Sequence, residues 1–548
     1  MTTRADWEHA AAGVLRKAGR LGEGDPDAAV WDALTRRTLD GIAVTPLGTP
    51  ADLEGVDTDV RPTRHGAWDV RVEVRGDDAR ALNEQVLADL ETGANSLWVH
   101  SAHDLPTLLD GVLLDLAPVV LDLEVDHLAH ARDLVDHLRT HLTGAAPATG
   151  TNLGVPATAD DATLREAAEL AAEAGTLAFV VDALDLHHRG ASEVQELAWS
   201  VAAGVRLLRS LEAGGLDATT AAGLVEFRYA ATDEQFPSIA KLRAARRLWA
   251  RILDASGAGD AAQRQHAVTS RAMLSTYDPH VNLLRTTVAA FAAGVGGADA
   301  VTVVPFDSPL GKPDTFGRRI ARNTSAVLLA EAQLGRVADP AGGAYAVERL
   351  THDLAAAAWD LFVRLDEGAD LDRLVADTVA ERDRLVATRR RPITGLTEFP
   401  HLGEVLPVRE PDPGAPPVRR YGAAFEALRD VPADATVFLA TLGPVAAHTA
   451  RASFAANLLA AGGIAVDTAG PTTGVDDLVA AYDEQQVVCL AGTDSAYAAW
   501  GAEAAAALRA AGAQHVVIAG KPVDYADDAC SVGADALAFL TRTREVLG

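Results

Sequence analysis

Short apolar and β-branched runs alternate with longer stretches of helical period along most of this chain. Strands are predicted at 69–74 (DVRVEV), 96–101 (SLWVHS), 118–123 (PVVLDL), 151–155 (TNLGV), 177–183 (LAFVVDA), 223–229 (GLVEFRY), 266–274 (HAVTSRAML) and 299–305 (DAVTVVP). Helical stretches separate them, which is the signature of repeated β-α units around a parallel sheet. Eight such units over 41–405 predict a (β/α)8 barrel of the TIM type, with its chemistry at the C-terminal ends of the strands. A second set at 436–442, 464–467, 486–491 and 515–519 alternates with Ala-rich helices. It predicts a doubly wound, flavodoxin-like domain over 433–548, a fold that binds ligands at the carboxyl ends of its strands. Residues 406–432 read as a linker, because 408–417 (VREPDPGAPP) is too rich in Pro, Gly and charge for a core element. Residues 4–38 place Trp7, Ala11, Val14, Leu15 and Ala18 at helical spacing. They predict a helical N-terminal arm over 1–40, either folded back on its own chain or packed on something else.

Composition narrows the function classes. A length of 548 residues suits two or three domains, and 49% hydrophobic content marks a folded chain. No apolar run approaches a membrane span, and Met1 to Trp7 has no apolar core of a signal peptide. Two cysteines, Cys489 and Cys530, point to a reducing compartment without a disulfide framework, hence the cytoplasm. A net charge of -29 opposes nucleic acid. It also gives no general attraction for an anionic thioester, which would need a local basic patch. Only four of the 48 basic residues are lysines, a bias that goes with the Ala-rich composition rather than with function.

Several local patterns favour structure over chemistry. His127, His130, His137 and His141 share one predicted helix at spacings that suit a metal, but they flank an apolar face of Leu128, Ala131, Val135, Leu138 and Leu142. A solvated flank is the better reading. Gly294, Gly296 and Gly297 lack a phosphate-loop pattern and predict a tight turn. No metal site, P-loop or nucleophile elbow stands out.

Five ordered stretches carry a resemblance: Gly41 to Leu47 (GIAVTPL), Ala240 to Trp249 (AKLRAARRLW), Tyr277 to Thr287 (YDPHVNLLRTT), Arg319 to Thr324 (RIARNT) and Asp339 to Tyr345 (DPAGGAY). Through them the chain resembles the methylmalonyl-CoA mutase family along its whole length, and in particular the small subunits of heterodimeric bacterial members. The catalytic large subunits of that family interconvert methylmalonyl-CoA and succinyl-CoA with adenosylcobalamin, whose Co–C bond breaks homolytically. Their barrel encloses the acyl-CoA, and their flavodoxin-like domain supplies an axial His to cobalt.

The same resemblance marks where groups have changed. The family's Asp-x-His-x-x-Gly motif falls on Ala446, His448 and Arg451; a Lys upstream falls on Thr441, and a later Gly-Gly pair on Ala519 and Gly520. Loss of the carboxylate that orients a ligating His costs about 10–100-fold in affinity or activity. His448 therefore reads as a surface or loop histidine. In the barrel, a Trp-x-x-Arg-x-Tyr segment falls on Trp68, Arg71 and Glu73. Glu73 would set a carboxylate against an acidic substrate, a repulsion of about 4 kcal/mol at ~4 Å and an effective dielectric near 20, unless Arg71 neutralises it. The family's catalytic His falls at Asp185, with His187 and His188 nearby. Arg71, Arg264 and His266, near predicted strand ends, stand as vestiges of substrate contacts that could hold CoA phosphates.

The resemblance thus implies a non-catalytic small subunit without an intact catalytic, cofactor or metal site. A homologous large subunit would hold the adenosylcobalamin and the acyl-CoA, paired with this chain across a pseudo-twofold axis. No nucleic acid or membrane enters. Two rivals remain at this point: a homodimeric mutase with a site rebuilt on His448, His187 or His188, and a chaperone-like protein that binds cofactor or acyl-CoA without reaction.

Overall fold

A computed structural model describes residues 3–59, 63–100, 104–123, 125–259 and 261–548. Eight parallel strands close a barrel in chain order: β1 (Asp69–Val74), β2 (Ser96–Val99), β3 (Val119–Leu121), β4 (Asn152–Pro156), β5 (Leu177–Asp182), β6 (Val225–Ala231), β7 (Arg264–Thr269) and β8 (Ala300–Thr302), with β8 returning to β1. Residue 101, the last of the predicted 96–101 strand, lies outside the described residues, as do 1 and 2 of the predicted arm. Side chains alternate across each strand. Along β6, Phe227 turns outward, its ring 4.8 Å from that of Trp249 on the helix Gln235–Ala255, which leaves Glu226 and Arg228 facing the lumen. β7 stops at Thr269, short of the predicted 274, because the chain turns at Ser270 out of the sheet. β8 stops at Thr302, ahead of Pro305, which has no N–H for a ladder.

The stretches that carry the resemblance are buried braces. Arg243 of the helix Gln235–Ala255 donates to Asp339 at 2.8 and 2.6 Å and to Glu348 at 2.5 Å. Asn282 donates to the carbonyls of Ser275 and Phe306. Gly294 lies inside the helix Val281–Val295 rather than in a turn: a Cβ there would stand 2.4 Å from the Trp68 ring. Gly297, at φ +87°, makes the turn. On the helix His127–Leu142, His137 is buried and stacks on His141 at 4.0 Å, so it is part of the packed face and not of the flank. Burial lowers its pKa. Among the described residues no group of three His, Cys, Asp or Glu could hold a metal, and no helix is long and apolar enough to cross a membrane.

The second sheet has five parallel strands, β9 (Val437–Thr441), β10 (Val466–Thr468), β11 (Val487–Ala491), β12 (His515–Ala519) and β13 (Asp528–Cys530), in the order β10-β9-β11-β12-β13. This is flavodoxin-like topology. Its last strand, three residues with an Asp among them, shows no strand pattern in the sequence. Cys489 and Cys530 are free thiols on β11 and β13. β12 lies between those strands, and both thiols sit in the same core cluster, where contact with Cys530 and burial push the Cys489 thiol up.

Two segments depart from regular structure. The arm forms one helix, Arg4–Lys17, then breaks at Gly19, Gly22, Gly24 and Pro26, and resumes as the short helix Val30–Leu34. It folds back on itself around Ala12, Leu15, Leu21 and Val30, with Trp7 4.8 Å from Trp31. The segment before the helix Ala423–Asp430 crosses the C-terminal mouth of the barrel as an extended strap. Arg409 pairs with Asp307 at 2.6 Å, the Lys312 N–H donates to Glu410 at 2.7 Å, Arg75 donates to the Gly414 carbonyl, and the Arg419 N–H donates to the carbonyl of His188 at 2.9 Å.

Candidate functional site

The lumen of the barrel is filled by ionic layers. In the lower one, Arg71 grips Glu226 with two bonds of 2.6 and 3.1 Å and donates to Ser96 at 3.0 Å. Glu226 also accepts from Arg264, which reaches Asp69 at 2.9 Å. Burial would raise the Glu226 carboxyl, but Arg71 and Arg264 outweigh it and hold its pKa down. In the layer above, Arg228 donates to Asp122 at 2.7 Å and Asp182 at 2.6 Å and lies 4.4 Å over the Trp98 ring. It also donates to Nδ1 of His266, whose Nε2 donates to Thr302 at 2.8 Å. Burial, then Arg71 and Arg228, keep His266 neutral.

Arg71, Arg264 and His266 therefore all work inward, on this chain's own groups. Nor are they at the strand ends where ligands bind: Arg264 begins β7, and Arg71 and His266 lie within their strands. A buried ion pair stabilises only when both members are present, and removing one costs about 3–5 kcal/mol. Filling a lumen this way gives a packed core, as barrels of this type have.

At the C-terminal mouth, Glu73 is neutralised, but not by Arg71, which sits two residues below it and is taken by Glu226. Arg75 reaches Glu73 at 2.6 Å, Arg271 pairs with its other oxygen, and His100 Nε2 lies 3.3 Å away. Against the upward push of burial, these three hold the carboxyl well below the usual carboxylate range. A cleft of about 720 Å³ lies beside them under the strap, lined by Glu73, Arg75, His100, Arg271, Lys312 and Pro411 among others. Asp185 is exposed on the short helix Ala183–His188. His187 on the same helix is buried between Glu196 at 2.9 Å and Ser270 at 2.6 Å, and Glu196 pairs with Lys241 at 2.8 Å. His188 is buried, and its Nε2 has no hydrogen-bond partner among the described residues.

The crevice of the second sheet lies at the carboxyl ends of β9, β11 and β12. His448 is neither a surface nor a loop residue. It sits in the first turn of the helix Val445–Ala461, buried, with Nδ1 3.1 Å from the Gly443 carbonyl. Ala446 is exposed and offers it no carboxylate. Thr441 is buried and donates to Gly470 at 2.5 Å. Arg451 donates to the Gly492 carbonyl at 2.7 Å, pairs with Asp494 and lies 4.9 Å over the ring of Tyr497. Gly520 faces both: a Cβ there would meet Tyr497 at 3.5 Å and Arg451 at 3.7 Å. The Tyr497 hydroxyl accepts from the Gly492 N–H at 3.0 Å and faces the carbonyls of Leu490 and Ala519 at 3.0 and 2.9 Å. Burial pushes its pKa up to about 12. Tyr497 was not flagged by the sequence pattern, since a lone Tyr in an Ala-rich helix reads as ordinary packing. A corrin ring with an axial imidazole does not fit these residues: the His faces its own loop, and Arg451 and Tyr497 occupy the crevice.

The sequence profile described as methylmalonyl-CoA mutase matches residues 175–413. The methylmalonyl-CoA mutase small subunit of Streptomyces virginiae is 45% identical over 100% of this chain and 97% of its own length. That of Propionibacterium freudenreichii subsp. shermanii is 34% identical over 100% of this chain and 95% of its own. Methylmalonyl-CoA mutase of Escherichia coli (strain K12) is 32% identical over 38% of this chain and 31% of its own.

Proposed function

This chain belongs to the methylmalonyl-CoA mutase family, a family of isomerases, and we propose that it is the structural, non-catalytic small subunit of a heterodimeric enzyme. Its partner is a homologous large subunit that carries the adenosylcobalamin and the acyl-CoA and performs the isomerisation between methylmalonyl-CoA and succinyl-CoA. One observation carries this reading: the barrel lumen, where the family's large subunits enclose the acyl-CoA, is packed with Arg71, Glu226 and Arg228 beneath the cleft at its mouth, and Arg451 with Tyr497 covers the crevice. The scaffold around them is intact. A diverged copy of a homodimer would have this form, because a surface built for twofold pairing accepts its homologue after one site is lost. Free thiols and soluble partners suit the cytoplasm.

Mixing with a large subunit of the family at micromolar concentration should give a 1:1 complex by sedimentation and isomerase activity that needs the large subunit. Turnover by this chain alone, or no complex, defeats the proposal.

A further inference from the structure

In the lumen layers carboxylates equal or outnumber guanidiniums, two to two around Glu226 and two to one around Arg228, whereas at the mouth the balance is reversed. There Glu73 takes two guanidiniums, Arg75 and Arg271, with His100 between it at 3.3 Å and Asp122, already held by Arg228, at 3.7 Å. Arg75, His100 and Arg271 come from separate places in the chain, just past the C-terminal ends of β1, β2 and β7. This is the end of a barrel where ligands bind. The seat is reachable, because the 720 Å³ cleft is lined by all four side chains. A further group lies close by: His188, buried near Arg271 and Glu73, has no hydrogen-bond partner on Nε2 among the described residues. Two guanidiniums that converge on one carboxylate of the chain itself at a strand end have the form of an anion site with a resident anion.

We propose that Arg75, His100 and Arg271 form a carboxylate-binding seat at the barrel mouth, and that Glu73 occupies it as a tethered ligand. A tethered group acts at an effective concentration that a free acid in the millimolar range does not match. The native chain therefore takes up no small carboxylate there, and the seat opens to one when Glu73 is removed. The proposal concerns this chain alone and does not depend on the assembly.

The test is chemical rescue of Glu73→Ala, read by thermal unfolding in about 100 mM sodium acetate against sodium chloride at equal ionic strength. Acetate should raise the melting temperature of the variant by about 2 °C more than that of the native chain, the shift for a ligand present near ten times its Kd. If Glu73→Ala does not fold, Glu73→Gln decides. It keeps the shape, leaves the same cations without a counter-charge on the cleft side, and should show the same acetate-specific rise at higher concentration. A rise equal to that of the native chain in whichever variant folds, or one reproduced by chloride, overturns the proposal.

Discussion

The lumen of the barrel and the crevice of the second sheet are both closed, but by different means. In the lumen, charged side chains on facing strands interlock in layers: Arg71, Glu226, Arg264 and Asp69 below, Arg228, Asp122, Asp182 and His266 above. The charges in the stack neutralise one another, with Ser96, Trp98 and Thr302 taking further bonds, so closure belongs to the core and no one substitution undoes it cleanly. In the crevice, one exposed ion pair, Arg451 with Asp494, lies on top of the sheet, and Arg451 covers the ring of Tyr497, itself a member of the core below. Closure of that kind is local. On the proposed function, a ligand site is lost here in two ways, one by being turned into core and one by being covered.

The largest expected effect is in the lumen. Arg71→Met leaves the fully buried Glu226 without its two-bonded partner and should destabilise the barrel by about 3–5 kcal/mol in urea unfolding. Replacing Arg71 and Glu226 together by Met and Leu should cost much less than either change alone, giving a favourable coupling in a double-mutant cycle.

A smaller effect separates the two regions by pH. Asp40, which accepts from Ser192 and the Val194 N–H, has its carboxyl pushed up to about 7 by burial and by Glu193. A raised pKa means that the folded state holds the proton better. The stability it contributes is complete below the unfolded value near 3.9 and is lost as pH rises through about 7. Raising the pH from 5 to 8 should therefore weaken the barrel transition more than that of the second sheet, and Asp40→Asn should shrink that difference. The smallest effect is in the crevice, where Arg451→Ala should change stability by no more than about 1 kcal/mol, measured by the same unfolding.

Much of this contrast was written in residue patterns, and some was not. The strands of both sheets show as apolar or β-branched runs, because a parallel strand buried on both faces has few polar positions to hide. The same rule concealed the lumen: Arg71, Glu226 and Arg228 interrupt such runs without revealing that they meet across the barrel. Arg71 was one natural neutraliser for Glu73 by distance along the chain, whereas the actual partners are Arg75, two residues to the other side, and Arg271, 198 residues away. Helical spacing over 4–38 did predict the first helix of the arm, but Gly and Pro after Lys17 outweigh the periodicity. His448 carried its family position in the sequence, while its burial against Gly443 depends on how the helix Val445–Ala461 sits on the sheet. Tyr497 had no signal of its own; only the fold brings it beside Gly520.

The most direct test of the account is the visible absorption of this chain after mixing with adenosylcobalamin and desalting, with a large subunit of the family as the positive control. The account predicts a colourless small subunit beside a coloured control. Corrin retained by this chain at about one per molecule would mean that Arg451 and Tyr497 give way to it, and the proposed division of labour between the subunits would fall.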